Sequence, residues 1–337
     1  MNKNKSFVLH IFLSFFVLAI CFALSLLFGA QKISKENASL LISLRFPRAI
    51  LATLSGILLA GSGACFQMYF RNPLAEPGII GISSGATLGV VIAQTFGINT
   101  VIFQTISSVN VAAFCTAIAS GLVVTFLASK SKESSSPTIL LCGTALGTFY
   151  SSISSIILLT KTKELHGIYT WILGSFNGRS WNELKFIILP SAISIFLFFI
   201  CAQKLNLMAG GENSARSLGL NTAKLKIMLL LAVSFAVSSS VCAGGTINFV
   251  GLIAPHIVRK IYKIKTSNAK FFIAISMLYG AILLLVSDIF ARILIAPAEF
   301  PTGLITSLLG APFFISLIFN SSSKRSSKMQ KGGKTDE

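Results

Sequence analysis

Residues 185–202 read KFIILPSAISIFLFFICA, with a single charge, on Lys185, at the first position. As a helix rising ~1.5 Å per residue, such a run is about 27 Å long, close to the ~30 Å hydrocarbon layer of a bilayer. Apolar and polar residues do not alternate along it, so it is not a strand of a membrane barrel. Hydrocarbon offers a backbone no hydrogen-bonding partner, and a segment of this composition inside it must be helical.

Blocks of the same kind cover residues 6–30, 47–70, 78–96, 106–128, 137–160, 225–243, 247–261, 271–295 and 303–319, which with 185–202 makes ten. The one at 247–261 is the weakest, being short and carrying Pro255 and His256. Across 337 residues, 53% are hydrophobic and 11% charged. A soluble domain carries about 25% charged residues, so this chain has too few to dress a water-facing surface. The pattern predicts an all-α membrane protein of about ten transmembrane helices in one bundle. Residues 1–320 form a single transmembrane domain and 321–337 a polar tail with the composition of a disordered segment. The first block competes with a secretory signal ending at Phe28-Gly29-Ala30. Its apolar core of about 25 residues exceeds the 7–15 of a signal, which favours a retained helix.

The net charge of +18 sits in short basic runs between blocks, the mark of membrane orientation and not of a nucleic-acid surface. Of 28 basic residues, nineteen fall on the side of the N-terminus and nine on the other. The excess predicts that both termini are cytoplasmic, which an even number of crossings allows. The six cysteines are scattered through apolar blocks without a CxxC pair and read as small buried hydrophobes. The three histidines are equally dispersed, so neither a metal site nor a cofactor is expected. Small residues recur every four positions at Gly56, Ala60 and Ala64, at Gly81, Gly85 and Gly89, and at Gly143 and Gly147. They are expected to let helices approach closely inside one bundle, with dimerisation through such a face as the alternative.

No phosphate-loop pattern and no HExxH are present, so uphill transport would require a partner's ATP or an ion gradient. Ion-coupled carriers bury carboxylates in the membrane, and Asp288 is the one serious candidate here. Five stretches are more specific: LRFPR at 44–48, RNPLAEPG at 71–78 running into GISSG at 81–85, GGTINFVGLIAPH at 244–256, PAEFPTG at 297–303 and GAPFF at 310–314.

In these motifs, in order and spacing from Arg45 to Phe319, the sequence resembles the FecCD-type, BtuC-like permeases. These are membrane subunits of binding-protein-dependent ABC importers for ferric siderophores, haem and cobalamin. The resemblance implies ten helices in the bacterial cytoplasmic (inner) membrane and no covalent chemistry in this chain. It also implies a second permease subunit (an identical copy or a paralogue), two ATPase subunits in the cytoplasm and a substrate-binding protein outside. Arg45, Arg48 and Arg292 match outward-facing arginines that meet acidic residues of the binding protein. The alternatives are snorkelling to lipid phosphates, or for Arg292 a pair with Asp288 one turn earlier. Residues 211–220, GENSARSLGL, resemble the family's coupling loop, with Gly211, Glu212, Ala215, Arg216, Leu218 and Gly219 in place. Ser135, Ser136 and Pro137 fall where relatives have a cytoplasmic gate, although Pro137 is equally an ordinary first-turn proline. The expected cargo is an iron chelate, with cobalamin or an oxyanion as alternatives. An ion-gradient carrier is the competing mechanism.

A reporter fused after Glu337 is expected to give a cytoplasmic signal, and an external one would overturn the even count of crossings.

Overall fold

The computed structural model describes residues 3–29, 31, 37–98, 101–102, 106–130, 136–160, 165–262 and 268–316. The polar tail and Ser135 lie outside them. The chain folds into α1 (Lys3–Leu27), α2 (Ala38–Tyr69), α3 (Ile82–Thr95), α4 (Ser108–Lys130), α5 (Ser136–Thr160) and α6 (Leu165–Ile172). After these come α7 (Trp181–Met208), α8 (Glu212–Ser217), α9 (Thr222–Gly244), α10 (Val250–Tyr262), α11 (Ala269–Ile293) and α12 (Thr302–Ser316). A short antiparallel ribbon pairs β1 (Val101–Ile102) with β2 (Ile106–Ser107) ahead of α4.

Each of the ten apolar blocks is a helix, and α6 and α8 are short additions between them. Among the described residues, seven helices are long and apolar enough to cross a membrane, while α3, α10 and α12 are shorter. Two prolines lie inside spans, Pro47 in α2 and Pro190 in α7. Within a packed bundle the neighbours can re-satisfy the carbonyls that a proline frees, so α2 begins well before Pro47 and not at it.

Contacts between helix termini define two ends of the bundle. At one end, α1 and α11 finish and α2 and α12 begin, joined through Arg45, Arg48 and Arg292. At the other, α4 finishes beside the start of α9, α7 beside the start of α11, and α8 joins the start of α9. Two helices begin inside the bundle. After α2 the chain turns back through a 3-10 turn at Pro77–Ile80 and enters α3 at Gly81, whose φ of 77° suits glycine. The start of α10 follows Phe249, a non-glycine residue at φ 68°. The Glu76 carboxylate accepts the Phe249 N–H at 2.5 Å, so an acid of the first re-entrant turn sits at the positive end of α10. Irregular backbone at such depth is tolerated only where protein encloses it, and here it does.

The core centres on α2, packed along α11 and α10. A Cβ added at Gly56 would lie 2.7 Å from the Ala281 Cα, and one at Gly63 would lie 2.7 Å from the Gly251 Cα. Gly85 and Gly89 back onto Ser120 and Ala112 of α4, and Gly81 onto Gly143 and Gly147. The small-residue stripes are therefore used for packing within the chain. Large apolar side chains such as Phe12, Phe15, Phe126 and Phe196 point outward, as a hydrocarbon solvent permits.

Replacing Gly56 or Gly63 by Val should cost about 1–3 kcal/mol of stability through forced backbone displacement. Gly167→Ala, where a Cβ meets open space, is the matched control. Thermal unfolding of the detergent-solubilised protein checks both.

Candidate functional site

Asp288 of α11 is 0% exposed and sits among cations. Arg48 of α2 donates to it through Nη2 at 2.8 Å and through Nε, and the Arg292 guanidinium lies 3.0 Å from its other oxygen. Thr302, at the start of α12, donates its hydroxyl to the same carboxylate at 3.0 Å. Arg48 also reaches Glu299 at 2.7 Å, and Arg292 donates to the carbonyl and hydroxyl of Ser25 in α1. One carboxylate thus ties together α2, α11 and α12, and Arg292 extends the link to Ser25 of α1. Buried charges at this density are tolerable only when fully paired. The Arg292–Asp288 pair one turn apart is the arrangement found. Locked between two guanidiniums, Asp288 is not free to carry a proton or sodium ion.

Arg45 is also buried but differs in its partners. It donates to the carbonyls of Leu26 and Leu27 at 2.9 Å each and to that of Gln31 at 2.5 Å, capping the end of α1. Among the described residues, no carboxylate lies within ion-pair distance of it. A cavity of about 530 Å³ opens beside it, lined by Arg45, Arg48, Arg179, Arg292, Glu299 and Asn177 among others. Arg179 precedes a capping box in which Glu183 accepts the Ser180 N–H and Ser180 accepts the Asn182 N–H, fixing the start of α7. Burial lowers the Arg179 pKa, with Glu183 opposing it, and a guanidinium starting so far above neutrality stays charged.

A second feature is a polar face on α5. Thr144, Thr148, Ser151, Ser152 and Ser155 are all exposed, and their spacing places them on one side of the helix. Four of them donate their proton to a backbone carbonyl three or four residues earlier. Their upper part borders a cleft of about 390 Å³ with Gly78, Gly81, Ser84, Gly143 and Gly147. An isolated back-bonded hydroxyl is tolerated in lipid. Five on one face beside a polar cleft form a wall suited to water.

The third feature is α8. Gly211, at φ 101°, starts it, and Ala215 is buried beneath it. Arg216 pairs with Glu212 at 2.7 Å, and Thr222 bridges them by accepting from Arg216 and donating to Glu212. Gly219, at φ 81°, turns the chain into α9. Leu218 stands 67% exposed at the tip. The six predicted loop residues are thus gathered in one corner, with Arg216, Leu218 and Gly219 exposed and Gly211 and Ala215 buried. Ser136 and Pro137 open α5, while Ser135 lies outside the described residues.

Sequence reasoning missed several members of these sites. Glu299, Thr302 and Ser25 join the arginine cluster from remote segments and carry no local signal. The α5 hydroxyls were legible as an i, i+4, i+8, i+11 series, and the capping box as S-x-x-E.

The FecCD transport family matches residues 6–320. The cobalamin import system permease protein BtuC of Halobacterium salinarum is 33% identical over 302 residues, covering 89% of this chain and 78% of that protein. The hemin transport system permease protein HmuU of Yersinia pestis is 35% identical over 291 residues, covering 85% and 84%. A solved structure described as an inward-facing metal-chelate type ABC transporter superposes with a TM-score of 0.82 at 28% identity. That superposition covers 93% of this chain and 99% of the other.

Asp288→Asn should destabilise the bundle by about 3–5 kcal/mol, because it strands two buried guanidiniums. Thr302→Val, which removes one neutral donor, should cost about 1 kcal/mol. Thermal unfolding of the purified variants gives the ranking.

Proposed function

This chain belongs to the FecCD transport family and is a permease subunit of an ABC importer, and we propose that it moves an iron chelate (ferric siderophore or haem) into the cell by alternating access. The observation that carries this reading is the α5 hydroxyl face. It is one exposed wall of a polar path on a helix long enough to span the membrane, and a single chain does not enclose it. A second permease copy facing it would close the path between them. Hydroxyls and glycines without charge suit a bulky chelate that must pass without being held tightly, and the metal travels inside its own ligands.

Energy comes from outside the chain in this reading. Asp288, the carboxylate an ion-coupled carrier would need, is held by Arg48 and Arg292. At the opposite end, α8 offers the apolar Leu218 on a helix stiffened by the Glu212–Arg216–Thr222 triad. In this reading that corner seats in a cleft of a cytoplasmic ATPase, and the α8 end and both termini are then cytoplasmic. The Arg48 end then faces outward. There Arg45, which has no carboxylate within ion-pair distance among the described residues, supports docking of an acidic binding protein, with Arg48 and Arg292 acting mainly to hold the platform rigid. The 33% identity to a cobalamin permease keeps cobalamin as the second cargo to test.

Proteoliposomes holding this chain with its ATPase and binding protein should take up ferric siderophore or haem only when ATP and the binding protein are both present. Uptake by this chain alone under a proton or sodium gradient would refute the mechanism, and uptake of cobalamin alone would change the cargo. Arg45→Gln removes the charge and leaves two N–H donors for the three carbonyls. It should weaken binding-protein affinity several-fold and flatten its salt dependence, whereas unchanged affinity would move docking elsewhere.

A further inference from the structure

Lys226 lies in the second turn of α9, is only 3% exposed and was marked by no motif. Its ammonium donates to the Ala128 carbonyl, in the last turn of α4, at 2.6 Å. Carbonyls in that turn have no partner within their own helix and carry the negative end of its dipole. Lys226 therefore caps α4 from a different helix. The charged groups acting on it are Glu212 and Arg216 of α8. Two polar links are joined by the first turn of α9: Glu212 to Thr222 at its first residue, and Lys226 one turn later across to α4.

The far side of α4 carries this link onward. Ser120, Thr116 and Ala112 of α4 are the close-packed floor for Gly85 and Gly89 of α3. The start of α3 at Gly81 rests in turn on Gly143 and Gly147 of α5, whose next residues are the exposed hydroxyl face. Contacts as tight as these transmit displacement, because there is no free volume to absorb it. By contrast, α2 and α11 are pinned to each other at the opposite end by the Asp288 cluster.

We propose that Lys226 is a positioning residue for transport: it fastens α4 to the α8–α9 corner, so that movement of α8 displaces α4, α3 and α5 together against a fixed α2–α11 pair. The inference rests on α8 being the surface on which the ATPase acts. A purely structural cap would contribute to stability alone. A transmission role predicts that its loss separates ATP hydrolysis from transport.

The test uses the complete importer in proteoliposomes, with ATPase rate, transport per ATP and melting temperature measured for Lys226→Met, Lys226→Gln and Lys226→Arg. Lys226→Met should keep binding-protein-stimulated hydrolysis while transport per ATP falls about tenfold. Lys226→Arg, which retains a cation and donors, should restore most of the coupling. If Lys226→Met does not assemble, Lys226→Gln, which keeps a donor without the charge, should still show reduced transport per ATP. Wild-type transport per ATP in the methionine or glutamine variant would overturn the proposal. So would a parallel fall of hydrolysis, transport and melting temperature. Failure of the premise looks different: Glu212→Ala with Arg216→Ala would then leave both ATPase association and transport per ATP unchanged.

Discussion

The absence of any hydrogen-bonding partner in hydrocarbon governs this structure. Every backbone N–H and C=O within the membrane must be satisfied by the chain itself. That requirement makes the ten long blocks helical, turns large apolar side chains outward and confines irregular backbone to the interior. The places where helices α3 and α10 begin are the exceptions that show the rule. Both start inside the bundle, at Gly81 and after Phe249, and the Glu76 carboxylate supplies one of the acceptors the second start needs.

The same solvent decides how charge is handled. At the Arg48 end, a carboxylate and two guanidiniums are buried because they neutralise each other, and by doing so they bind four helices into one rigid unit. At the α8 end, the Glu212–Arg216 pair is closer to water and is joined through Thr222 to the start of α9, where the buried Lys226 reaches the end of α4. A rigid cluster at one end and a linked corner at the other is a layout that allows one group of helices to move against another. Large relative motions in packed proteins proceed in this way, as rigid units shifting between discrete arrangements.

Ten apolar blocks, their order, the membrane class and the family's motifs were all readable in the sequence, because hydropathy is local and the blocks are long. The α8 corner was also readable, since its six residues fall within the single stretch 211–219. Two details were not. Pro47 looked like a helix start and lies within α2, because packed neighbours tolerate what an isolated helix does not. Arg48 gave no sign of its partners and is buried against Asp288 and Glu299, acids that lie far from it along the chain, whereas the Arg292–Asp288 pair was open as an alternative from their spacing.

Sequence alone therefore determined that this chain crosses a membrane many times as helices, what family pattern it follows and which loop carries the residues of that family's coupling-loop motif. Tertiary structure alone decided which charges are paired. It also made the small-residue stripes internal seams, and it showed that Lys226 caps a helix roughly a hundred positions earlier in the chain. The reason is physical. Solvent preference is a property of each residue and its near neighbours, whereas pairing of a buried charge depends on which distant segment folding brings within about 3 Å.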